Sequence, residues 1–72
     1  MKNIGEELDE IISTLVDSGL TLKEVVEEVE KIYLSKALER NGWNLKKTSK
    51  KIGIHRNTLS MKLKKYGIKK KS

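Results

Sequence analysis

Residues 44–68, NLKKTSKKIGIHRNTLSMKLKKYGI, contain no acidic side chain and are interrupted once, at Gly53-Ile54-His55. No other stretch limits the fold as much. Before the interruption, Leu45, Thr48, Ser49 and Ile52 share one helical face. After it, Leu59, Leu63 and Tyr66 do the same, supported by Ile54. Asn44 suits the N-cap of a helix from Leu45 to about Ile52. Gly53 ends that helix, because the left-handed turn expected there is costly for a residue with a Cβ. The next helix is expected from His55 or Arg56 to Tyr66. Gly67 stops it, and Ile68 folds back as in a Schellman motif. Two short helices around a glycine turn, the second one basic and amphipathic, make a helix-turn-helix pattern.

Charge divides the chain at the Asn41-Gly42 joint. Residues 1–42 carry five Lys/Arg and ten Asp/Glu, a net of −5, whereas residues 43–72 carry eleven Lys/Arg and no acid, a net of +11. The C-terminal part is therefore suited to a polyanion and the N-terminal part to something else. A merely solvated Lys-rich tail would have the charge without the apolar period.

The N-terminal part reads as two more helices. The first is expected over Ile4 to Asp17, with Ile4, Leu8, Ile11, Ile12, Leu15 and Val16 in one stripe and Gly19 as a left-handed cap. Thr21 and Glu24 have capping-box spacing, and Leu20 and Val25 have staple spacing. They open a second helix that runs to about Asn41. Its first half presents Leu22, Val25, Val26, Val29, Ile32 and Tyr33, and is expected to pack on the first helix. Leu34, Ala37 and Leu38 swing the face round toward the C-terminal unit. So much apolar surface exceeds what a two-helix hairpin can bury, and a second copy would cover it in a twofold arrangement. The expected dimer interface comprises Ile4, Leu8, Ile11, Ile12, Leu15, Leu22, Val25, Val26, Val29 and Tyr33.

The expected fold is all-α, with four helices in one domain: a dimerising hairpin over 4–41 and a helix-turn-helix over 44–68. Residues 1–3 are expected to fray and 69–72 to form a disordered tail. With 72 residues, no Cys and one His, neither disulfides nor a protein metal site can reinforce so thin a core. Oligomerisation is the expected support, and no metal or cofactor is implied. No signal-peptide pattern and no apolar run of about 18 residues is present, so a cytoplasmic location is the default.

Roles follow from side-chain chemistry. A recognition helix enters the major groove by its N-terminal end, where His55, Arg56, Asn57, Ser60 and Met61 are available for bases. Arg56 suits a bidentate contact to guanine. Asn57 can read adenine or cap the helix, and His55 can meet a base or a phosphate or serve only as N-cap. Met61 can touch a thymine methyl or join the core. Asn44, Thr58, Lys46, Lys47, Lys62, Lys64 and Lys65 suit phosphates. Trp43 can stack on a ligand, but packing in the domain is the expected role.

The pieces VEKIYLSKALERNGWN, KIGIHRNTL and KLKKYGI, between Val29 and Ile68, resemble the Fis-type DNA-binding domain. That domain forms the C-terminus of NtrC-like, sigma-54-dependent transcriptional activators and also occurs in the nucleoid protein Fis. The resemblance implies a homodimer on a palindromic site, with DNA contacts at the positions of Asn44, His55, Arg56, Thr58, Met61 and Lys64. The chain departs from the family pattern at three places. Trp43 stands where Gly is frequent, Thr48-Ser49 stand where Ala-Ala is usual, and Met61 replaces a commonly basic residue. The two hydroxyls are expected to bond to the preceding turn.

Three functions compete. The first is the DNA-binding domain of a sigma-54-dependent activator, tethering an upstream ATPase domain that acts on sigma-54 RNA polymerase; the chain is then a fragment. The second is a free-standing Fis-like nucleoid protein that bends DNA. Its usual β-hairpin arm has no room before a helix that begins near residue 4, which favours the first. The third is a helical adaptor for an acidic protein. No His/carboxylate pair, Cys nucleophile or Gly-rich phosphate loop suggests an enzyme.

Overall fold

The computed structural model describes residues 3–70, which form four α-helices: α1 (Ile4–Asp17), α2 (Leu22–Arg40), α3 (Leu45–Ile52) and α4 (Arg56–Tyr66). No strand occurs among the described residues. The all-α expectation holds, and α1, α2 and α3 each start at a residue whose side chain caps the helix. Asn3, expected in a frayed end, instead caps α1 by accepting from the Glu6 N–H at 2.8 Å. The capping box of α2 is formed in both directions, at 3.1 Å from Glu24 N to Thr21 Oγ1 and 3.0 Å from Thr21 N to Glu24 Oε1. Asn44 caps α3 at 2.9 Å. The fraying expected at 1–2 and the disorder expected at 71–72 lie outside the described residues.

Three helices end in one way. The N–H of the apolar residue after a glycine bonds to a carbonyl five residues back: Trp43 to Leu38 at 2.8 Å, Ile54 to Ser49 at 3.1 Å, and Ile68 to Leu63 at 3.0 Å. The glycine before each is left-handed, which is the Schellman geometry expected only for Ile68. Trp43 is itself left-handed, at φ 61°, as a second such residue after Gly42. A glycine would adopt this conformation without cost. The half-buried indole faces a pocket between α2 and the end of α4, with Ser35, Tyr66 and Ile68.

The core is small and lies where α2, α3 and α4 meet. Leu38 and Leu59 are wholly buried, Leu34 is 3% exposed, and Thr48 and Ser49 are buried with them. This matches the swing of the α2 face toward the C-terminal unit. The small Thr48-Ser49 pair lets α3 approach its neighbours. Ser49 donates to the Lys46 carbonyl at 2.9 Å, as expected, but the Thr48 hydroxyl has no partner.

The N-terminal half differs from expectation in one respect. No residue of α1 is buried, and on α2 Leu22, Val26 and Val29 are 80%, 53% and 50% exposed. The first half of α2 is thus not covered by α1. The close helix contacts are between α3 and α4 and between α2 and α3, and α1 makes no comparable contact with α2.

Two substitutions test this packing. Thr48→Val removes a buried, unpartnered hydroxyl at constant shape and is expected to raise stability by about 1 kcal/mol. Gly53→Ala places a Cβ in open space at φ 75°, so it is expected to cost only the left-handed penalty of roughly 1–2 kcal/mol. Urea denaturation at fixed protein concentration measures both.

Candidate nucleic-acid interface

Helix α4 has two faces of opposite character. Leu59 is fully buried, and Leu63 and Tyr66 are half-buried on the same side. Asn57, Met61 and Lys64, at i, i+4 and i+7, are exposed on the other. Met61 is 66% exposed, which removes it from the core and leaves the outward role. Ser60 and Thr58 are half-buried on the flanks, and His55 and Arg56 are exposed at the N-terminal end.

That end is chemically distinct. His55 occupies the N-cap of α4 but makes no side-chain cap hydrogen bond, whereas Asn3, Thr21 and Asn44 each cap their own helix. Capping is therefore not the role of the His55 ring, nor of Asn57. The first N–H groups of a helix have no intrahelical acceptor, and they favour an anion. Here they stand beside Arg56, and Lys50 of α3 lines one surface hollow with His55; neither helix contains an acid. Asn44 uses its carboxamide oxygen as the α3 cap, which leaves its NH₂ group to donate outward.

The other side of α4 is held by α2. Lys62 Nζ bonds to Glu30 Oε1 at 2.9 Å, and the Tyr66 hydroxyl donates to the same oxygen at 2.7 Å. Lys65 pairs with Glu27 at 3.4 Å. Lys62 and Lys65, expected on phosphates, thus have carboxylate partners within the chain. Glu27 and Glu30 were missed by sequence reasoning. Their only signal was an i, i+3 pair of acids on α2, in the half expected to pack on α1.

These bonds move protons. Lys62, then Tyr66, holds the Glu30 carboxyl below its ordinary value of 4.5, against a smaller opposing effect of burial. The bond to Glu30, then burial, pushes Tyr66 above 10.0. A lowered acid contributes stability that is present above its unfolded value and lost as pH falls through the folded one. A raised tyrosine contributes stability that is complete below its unfolded value and lost as pH rises through the folded one.

An acid-free helix lying outward after a glycine turn, on a three-helix core, defines a helix-turn-helix domain. Residues 25–66 match the family model described as "Bacterial regulatory protein, Fis family", and the chain belongs to that family. It is a family of DNA-binding regulatory domains and not usually enzymatic. No curated protein and no solved structure matches the chain significantly. Among the described residues no helix is long and apolar enough to cross a membrane.

Glu30→Gln is expected to flatten the stability profile at both ends, below about pH 4.5 and above about pH 10. Part of the acid limb should persist through Glu24, whose carboxyl is lowered by the Thr21 backbone N–H and then by its hydroxyl. Denaturation midpoints across pH for both proteins check this.

Proposed function

We propose that the chain reads a palindromic double-stranded DNA site as a homodimer, in the cytoplasm at the nucleoid. It serves there as the DNA-binding end of a sigma-54-dependent activator. The carrying observation is the combination of an outward, acid-free α4 that lacks a self-cap with an uncovered apolar face on α1 and α2. His55, Arg56, Asn57 and Met61 reach base edges, with Ser60 at the flank. Asn44, Lys46, Lys47, Thr58 and Lys64 take phosphates, and Lys50 and Lys51 add attraction. Lys62 and Lys65 are left to their carboxylates.

The dimer is supported by side chains that a second copy would cover. Ile4, Leu8, Ile11 and Ile12 are 76%, 51%, 56% and 38% exposed. Leu15 and Val25 are half-buried, and Tyr33 is 59% exposed. Monomers rarely leave so continuous an apolar stripe in water. The resemblance to NtrC-like proteins supports a place beside an ATPase domain that acts on sigma-54 RNA polymerase.

Affinity for a palindromic site is expected to fall steeply between about 50 and 200 mM salt; a flat response would remove the phosphate contacts. Arg56→Ala should cost roughly 1–3 kcal/mol on the cognate site and relax base preference. Equal loss on random DNA would make Arg56 a phosphate contact instead. In sedimentation, the wild type should be a dimer without DNA, and Ile12→Glu a monomer.

A further inference from the structure

Two identical reading helices select a site only if their separation is fixed, and something must fix each of them to the dimerising helix. The apolar core holds α4 at Leu59, near its N-terminal end. The C-terminal half of α4 is tied to α2 by polar contacts. Glu30 Oε1 accepts from both Lys62 Nζ, at 2.9 Å, and the Tyr66 hydroxyl, at 2.7 Å. One turn earlier on α2, Glu27 meets Lys65. These acceptors lie on α2, the helix whose Val26, Val29 and Tyr33 stay exposed for a second copy. Lys62 and Tyr66 lie on the side of α4 away from Asn57, Met61 and Lys64, and Lys65 lies on the flank between.

We propose that Glu30 is a positioning residue for DNA reading: by holding Lys62 and Tyr66 it sets the orientation of α4 on α2, and through the dimer the spacing of half-sites that the protein accepts. It touches no DNA. This rests on the dimeric DNA-binding function proposed above.

The test is a panel of duplexes with two identical half-sites whose centres are moved apart by single base pairs. The wild type should show one preferred separation. Glu30→Ala should keep the dimer in sedimentation and its affinity for a single half-site. Its preference between the best and neighbouring separations should shrink by about tenfold, within the coupling range of residues in one hydrogen-bond network. Glu30→Gln retains an acceptor of the same length and should retain most of the preference. Tyr66→Phe, which removes one hydroxyl from a half-buried ring, should give a partial loss; it carries the test if Glu30→Ala does not fold. An unchanged separation profile, or affinity lost equally at every separation and on the single half-site, would overturn the proposal. A wild type that binds DNA with no preferred separation removes paired reading and this proposal with it. A wild type that does not bind removes the DNA-binding function itself.

Discussion

Burial of Leu38 and Leu59 is what this small domain depends on. Each is wholly withdrawn from water, and Leu34 nearly so. Each such side chain contributes about 1.5–3 kcal/mol. With a core of so few residues, the backbone must bring α2, α3 and α4 together closely. Thr48 and Ser49 permit this by being small, but the unpartnered Thr48 hydroxyl opposes part of the gain. Everything that α4 presents outward is placed by what it buries inward, because Leu59 and Met61 are two positions apart on one helix.

Chain reversal is handled by one device used three times: a left-handed glycine, then an apolar residue whose N–H returns to the last turn. The returning Trp43, Ile54 and Ile68 are half-buried, so each reversal also adds apolar contact at the edge of the core. At Gly53 this device makes the turn of the helix-turn-helix. At Trp43 it tolerates a bulky residue in a conformation that disfavours one, and the half-buried indole lines a pocket together with Tyr66.

The two charge regimes are not merely segregated. They meet along α2 and α4, where Glu27 and Glu30 engage Lys65 and Lys62. The acids thereby subtract two cations from the part of α4 nearest α2 and leave Lys64 on its outward side, with Arg56 at its start. The asymmetry of α4 is thus electrostatic as well as apolar, and it points the same way in both respects.

Local physics made most of the fold legible. Caps, glycines and the 3.6-residue period depend on neighbours within one or two turns, so the four helices and the helix-turn-helix could be read directly from the residues. So could the exposure of Arg56 and Asn57, which precede the first buried residue of α4. Two features depended on contacts between distant segments. Lys62 and Lys64 look alike as lysines, and only the approach of α2 decides that one meets Glu30, 32 residues away, while the other faces out. The failure of α1 to cover the first half of α2 followed from how the two helices sit, which period alone does not contain. The sequence by itself determined the elements, their ends and the charge each carries, because those are set within a few residues. Tertiary structure alone decided which cations stay available and which apolar side chains stay wet, because both depend on what packs against them from elsewhere in the chain.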